Sequence, residues 1–258
     1  MKSLLSSISL AWVVIAGGAF AEDPKAAVKT QKYYAEIYGY SYDEPGLMNK
    51  KSSVPFIGLG VQDFGQAGRS GLIYEARASY GQTDYSSNGT GTVDGTPTFV
   101  YSGEVSLLTS IKEYNVFAGL GYRYLFDDGG GVQSSTGHWG YDRTSQYFYL
   151  PVGMINYLEN SGYFKAQYNH LISGNQKSDI GYFSASDYDW DATQKKGYGY
   201  SFEYAPNENY SLFLRYWKIE NSEYVRYTGT SGCGAYTPPC SVYEPLNDTL
   251  ELGMKVLF

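Results

Sequence analysis

The chain is poor in the residues that most enzymes and small secreted scaffolds rely on. Its 258 residues include two cysteines, too few for a disulfide-stapled scaffold or a four-thiolate zinc site. They include two histidines, so the usual general base for acyl transfer is scarce. Only 17% of the residues are charged, and the formal net charge of −7 gives a nucleic-acid backbone nothing to bind. After the N-terminal stretch no apolar run approaches the roughly 20 residues of a membrane helix, which excludes a helical membrane protein.

Aromatic residues and glycine are plentiful instead. The chain is 17% aromatic, with 29 Tyr and 31 Gly, a composition unusual for a globular enzyme. Tyr and Trp favour membrane interfaces because the ring sits in oil while its polar edge stays wet. The first residues, MKSLLSSISLAWVVIAGGAFAEDP, carry one early positive charge at Lys2, a short apolar run and Ala19-Phe20-Ala21 as a small-x-small site. This reads as a secretory signal peptide over 1–21, because the run is too short to span a bilayer. The last residues, LELGMKVLF, alternate with period two: Leu250, Leu252, Met254, Val256 and Phe258 fall on one face of a strand.

An exported chain with this terminal pattern resembles the integral outer-membrane β-barrels of Gram-negative bacteria, in the size class of opacity-type adhesins and omptins. In that group a terminal Phe with apolar residues at every second preceding position is the tag read by the barrel assembly machinery. Leu250, Leu252, Met254, Val256 and Phe258 match it residue by residue. The resemblance implies an outer-membrane location in contact with lipid and lipopolysaccharide. It also implies a short periplasmic segment over 22–31 and a barrel over 32–258.

Ten segments show the alternation: Lys32–Tyr42, Val54–Phe64, Leu72–Asp84, Thr98–Ser110, Tyr114–Phe126, Gln146–Tyr157, Tyr163–Ser173, Lys196–Ala205, Tyr210–Asn221 and Asn247–Phe258. Connections after the second, fourth, sixth and eighth are short (GQAGRSG, IKE, LENSG, PNEN), and the others are longer. Short periplasmic turns and long extracellular loops produce this parity. The fold predicted is therefore all-β, an antiparallel transmembrane barrel of ten strands, with eight as second choice. Pro55 and Pro151 interrupt two of the segments and belong at edges or bulges.

If the apolar parity faces lipid, the other parity fills the lumen. It carries Glu36, Glu75, Glu104, Glu203 and Glu251 together with Arg77, Arg123, Lys165, Arg215 and Lys255. A channel selective for one ion sign shows a ring of one charge. Mixed signs in a narrow barrel predict a paired plug instead, narrowed further by Tyr38, Tyr40, Phe117, Phe213 and Trp217. A narrow channel for small solutes is the alternative.

The longer loops carry the candidate partner-binding aromatics: Trp139 and Tyr141 in loop three, Tyr182, Tyr188 and Trp190 in loop four, Tyr224, Tyr227 and Tyr236 in loop five. Such residues anchor protein or glycan contacts, or else pack together above the rim. Cys233 and Cys240 share loop five, and export predicts a disulfide between them. Asp187, Asp189 and Asp191 are spaced for a calcium site or for a solvated acidic loop; the EF-hand pattern fails at Ala192. No other metal and no cofactor is implied.

Enzymatic barrels of the outer membrane carry recognisable motifs. Omptin proteases set an Asp-x-Asp pair against an Asp-x-His pair; Asp187 and Asp189 have the first spacing, but Thr136 and Tyr168 stand two before His138 and His170. Barrel lipases and lipid A deacylases share a His-x-Ser core; here Gly140 and Ile172 stand at that spacing. The sequence thus predicts a non-enzymatic surface protein, with an omptin-type rim hydrolase as a second alternative.

Overall fold

The computed structural model describes residues 30–258 other than 67, 113, 159–160, 180–189 and 228–239. The signal-peptide reading, most of the 22–31 segment and the Cys233–Cys240 pairing lie outside those residues.

The described chain is built of strands: β1 (Lys32–Glu44), β2 (Met48–Asp63), β3 (Gly71–Ser87), β4 (Gly91–Ile111), β5 (Tyr114–Asp127), β6 (Asp142–Tyr157), β7 (Tyr163–Asp179), β8 (Trp190–Gln194), β9 (Gly197–Ala205), β10 (Tyr210–Ile219), β11 (Val225–Tyr227), β12 (Cys240–Val242) and β13 (Asn247–Leu257). Each pairs antiparallel with its neighbour in the chain from β1 to β7. β8 and β9 are one strand interrupted at Lys195–Lys196, since β8 pairs with Gly174–Ser178 of β7 and β9 with Tyr163–His170. The circuit continues through β10 to β13, which returns to β1 in the register Ala35↔Val256. Ten strands therefore close a barrel. Closure satisfies the backbone groups of both would-be edges, the requirement lipid imposes. β11 and β12 form a separate small hairpin in loop five.

Alternation decides which side chain meets which solvent. The outward face is apolar and open: Leu59 is 67% exposed, Leu107 70%, and Leu120 and Leu252 60% each. A continuous exposed apolar surface of this kind marks contact with lipid rather than water. Outward aromatics flank it at both ends, with Tyr33, Tyr114, Tyr204 and Tyr210 at the turn end. At the loop end Tyr80 and Phe99 lie 4.9 Å apart and Tyr122 and Phe148 4.8 Å apart. On β5 the two girdles are separated by the run from Tyr114 to Tyr122. At about 3.3 Å per residue and a tilt near 40° that spans roughly 20 Å, close to the apolar band of such barrels.

The sequence segments correspond to the strands; several strands run further at their loop ends, while β10 stops at Ile219 rather than Asn221. β2 begins at Met48 rather than Val54, β4 at Gly91 rather than Thr98, and β6 at Asp142 rather than Gln146. The connection expected after the third strand is therefore a tight hairpin, because alternation persists through polar, turn-like residues. Trp190, assigned to loop four, opens β8. Pro55 sits where the β2–β3 register shifts between Val54 and Ile57. Pro151 pairs with Asn169 on one side, and the β5–β6 pairing lapses beside it without a change of register.

Glycine is required where an interior ring lies flat on the wall. A Cβ at Gly121 would stand 2.3 Å from the Tyr149 ring. Gly103, on the lipid side, has open space around it. Gly121→Val should therefore displace Tyr149 and destabilise the barrel by about 1–3 kcal/mol, read as a lower midpoint of heat-modifiable gel migration. Gly103→Val should leave that midpoint unchanged.

Candidate functional site: the filled lumen and the mouth above it

The interior is layered along the barrel axis. An apolar layer at the turn end comprises Phe64, Ile73, Leu108, Phe117, Ile155, Tyr163 and Ala205. A belt of charge lies above it. Next comes an aromatic layer containing Tyr38, Tyr40, Phe56, Tyr147, Tyr149, Phe213 and Trp217. A second group of charges and then an open mouth complete the loop end.

All ten charges expected in the lumen meet in the belt. Arg77 bonds Glu36 at 3.0 Å and Glu251 at 2.7 Å, and Arg123 reaches Glu251 at 2.9 Å. Arg215 approaches Glu36, Glu251 and Glu75 at 3.4, 3.3 and 3.5 Å. Lys165 lies 3.7 Å from both Glu75 and Glu104. Lys255 Nζ has three acceptors, Gln62 Oε1 at 2.9 Å and Glu75 and Glu203 at 2.7 Å each, matching the three N–H groups of an ammonium. Tyr34, Tyr149 and Tyr163 donate to Glu75, Glu104 and Glu203, using carboxylate lone pairs the bases leave over. The cavity between Glu75, Arg77, Arg123, Lys165 and Arg215 measures about 30 Å³. That is room for about one or two waters.

The second group was not visible in the sequence. Lys50 lies 2.7 Å from Asp127, and Arg143 bonds Asp127 at 3.3 Å and Glu44 at 3.0 Å. Glu244 stands 3.6 Å from Arg143, and the Arg143 guanidinium covers the Tyr42 ring at 4.4 Å. Burial, with Glu44 beside it, pushes the Glu244 carboxyl up to about 7 against the pull of Arg143. Lys50 and Arg143 lie in stretches whose polar composition reads as loop. Continuing the inward parity Tyr149, Tyr147, Ser145 by one more step reaches Arg143.

Loop three folds back over the β3–β4 hairpin. Ser135 N–H donates to the Thr92 carbonyl (2.9 Å), Thr92 N–H to Ser135 Oγ (3.0 Å), and Thr136 Oγ1 to the Thr90 carbonyl (2.8 Å). Gly91, at φ +80°, permits the approach, since a Cβ there would meet Ser135 at 2.5 Å. The fold-back, the hairpin and the β1–β2 turn enclose a mouth cavity of about 370 Å³ above Glu44, Lys50, Asp127 and Arg143.

Of the aromatics expected to bind partners, Trp139 and Tyr141 line this mouth and are exposed. Tyr224 is exposed and packs on Tyr243 at 4.9 Å. Trp190 is half-buried. Tyr227 pairs through its backbone with Cys240. Tyr182, Tyr188 and Tyr236 lie outside the described residues, as do Asp187 and Asp189. Asp191 accepts a hydrogen bond from Asn175. Leu250, Leu252, Met254 and Val256 face outward together on β13.

A closed ten-stranded barrel with an apolar exterior and a polar, filled interior is a transmembrane β-barrel of the outer-membrane type. No family model matches the chain, and no curated protein does. Among solved structures it is similar to the outer membrane protease OmpT from Escherichia coli. That pair has a TM-score of 0.42 and 12% identity over 88% of this chain and 97% of that one. It is also similar to the P. putida toluene transporter TodX, at a TM-score of 0.24 and 8% identity over 88% and 89%.

Two outcomes follow. Glu251→Ala leaves Arg77, Arg123 and Arg215 short of an acceptor, and should cost about 3–5 kcal/mol in equilibrium unfolding by urea. Glu244, whose folded-state carboxyl titrates above its unfolded value near 4.3, penalises the folded state once ionised. Thermal stability should therefore fall as pH rises from about 4.5 to about 7. Glu244→Gln should flatten that part of the profile.

Proposed function

We propose that the protein is an exported, non-enzymatic outer-membrane protein of a Gram-negative bacterium. Its lumen is plugged by paired charge, and its extracellular loop end binds a partner at the cell surface. The observation that carries this reading is the contrast between the two cavities. The space among the lumen charges is about 30 Å³, whereas the aromatic-lined mouth above them holds about 370 Å³.

The charges at the mouth support a binding rather than a catalytic role. Glu44 and Asp127 are each tied to Arg143, and Asp127 also to Lys50, so their carboxylate oxygens are already engaged by bases. His138 Nδ1 lies 3.0 Å from Thr136 Oγ1, so among the described residues a hydroxyl rather than a carboxylate stands at that nitrogen.

Planar-bilayer recording tests the plug. Wild type should show little or no steady current, and alanine at two or three of Arg123, Lys165 and Arg215 should open a cation-favouring leak as glutamates lose their partners. Steady wild-type conductance, altered by those substitutions only in ion selectivity, would put a channel in its place. Orientation is tested by a tag at Gly89, on the β3–β4 hairpin, which antibody should reach on intact cells. A tag at Asn207, in the turn between β9 and β10, should stay hidden.

A further inference from the structure

Resting on the reading of the loop end as a binding surface, we propose that the mouth cavity is a site for a neutral sugar ring, the terminal residue of a glycan. Its volume of about 370 Å³ falls at the small end of the range of about 300–1,000 Å³ for small-molecule sites. That suits a ring-sized group better than a protein surface. The walls are fixed before any ligand arrives, because loop three and the β3–β4 hairpin exchange the Ser135–Thr92 and Thr136–Thr90 hydrogen bonds. Preorganisation of this kind lowers the ordering cost of binding.

The floor specifies the charge of the ligand. Lys50, Asp127 and Arg143 are 7%, 5% and 5% exposed, and all three line the cavity. With Glu44 the lining holds two bases against two acids, joined by ion pairs of 2.7, 3.3 and 3.0 Å, and Glu244 behind the lining adds a third acid 3.6 Å from Arg143. A charged ligand would have to break one of these pairs and leave its partner buried and unmatched. A wholly apolar ligand would cover ammonium, guanidinium and carboxylate groups without offering them a bond. A polyhydroxylated neutral ligand does neither. Each hydroxyl donates once and accepts twice, so it bonds a carboxylate and an ammonium side by side while their pairing persists.

The walls specify the rest. Leu47, Met48, Val93 and the rings of Tyr85, Trp139 and Tyr141 surround that polar floor. A sugar ring has the matching two-sided character, with C–H faces that pack on an indole or phenol and an equatorial rim of hydroxyls. Trp139 is 54% exposed, which leaves ring surface to be covered on binding.

The test uses the full chain, purified in a zwitterionic detergent that contains no sugar. Saturation-transfer difference NMR is run with glucose, galactose and N-acetylglucosamine, with glucuronate as the anionic probe, glucosamine as the cationic one and cyclohexanol as an apolar one. At least one neutral sugar should show transfer to its ring C–H protons, ahead of the charged and apolar probes. Trp139→Ala and Leu47→Trp, the second filling the mouth from an exposed turn, should each reduce that transfer at least five-fold. Heat-modifiable migration should be unchanged in both, which shows that the barrel is intact. Transfer that survives both substitutions, or that appears only with a charged or apolar probe, overturns the proposal. Failure of every sugar, with the bilayer still electrically silent and a surface partner still captured through the mouth, ends the sugar assignment and spares the broader reading. Steady conductance ends the broader reading itself.

Discussion

Glu251 has three guanidiniums within hydrogen-bonding reach, those of Arg77, Arg123 and Arg215. The rest of the molecule depends on that convergence, because a barrel in lipid is inverted relative to a soluble protein. Its outside can be made stable with leucine and tyrosine alone. Its inside receives every polar group that the strand parity forces inward, in a space with almost no water to solvate them. A charge placed there is tolerable only when its counter-charge is within reach and the leftover lone pairs are used. The belt meets the first condition throughout, and tyrosines and glutamines close most of the positions that the bases leave open, with Arg123 Nε and Gln167 Oε1 left over.

Closure and filling are therefore one constraint seen from two sides. Lipid demands that every strand be paired on both edges, which fixes a ring of strands. The ring of ten is wide enough to need charged side chains from eight different strands to occupy it. Because those strands enter from all directions, the ion pairs act as ties across the lumen. Arg77 and Glu251 are 174 residues apart in sequence, and their bond spans β3 and β13, which are not neighbours in the sheet.

Much of this is legible in the sequence. The two-residue period exposes which residues face lipid and which face inward, so the ten lumen charges and the outward set on β13 could be named from sequence. Three features were not legible. The loop-side ends of β2, β4 and β6 reach further than the hydrophobic alternation shows, since polar and small residues interrupt alternation without interrupting pairing, and Lys50 and Arg143 lie in those extensions. Which acid meets which base is set by the stagger around the ring, which the chain order does not contain. The fold-back of loop three onto the β3–β4 hairpin rests on backbone groups and on the φ of Gly91, and side-chain patterns carry no trace of it.

The aromatic layer between the belt and the mouth has a consequence of another kind. Tyr38, Tyr40, Phe56, Tyr147, Tyr149 and Trp217 form a packed slab of rings between two sets of charges. It works as a partition of contacts, since the ion pairs of Lys50 and Arg143 stay on one side of it and those of Arg77, Arg123 and Arg215 on the other. A side chain exchanged at the mouth meets these rings before it meets the belt, so the belt's pairs need not be remade each time the mouth changes shape. Loop sequences can then diverge in shape under selection for what they touch, while the interior that keeps the barrel standing stays as it is.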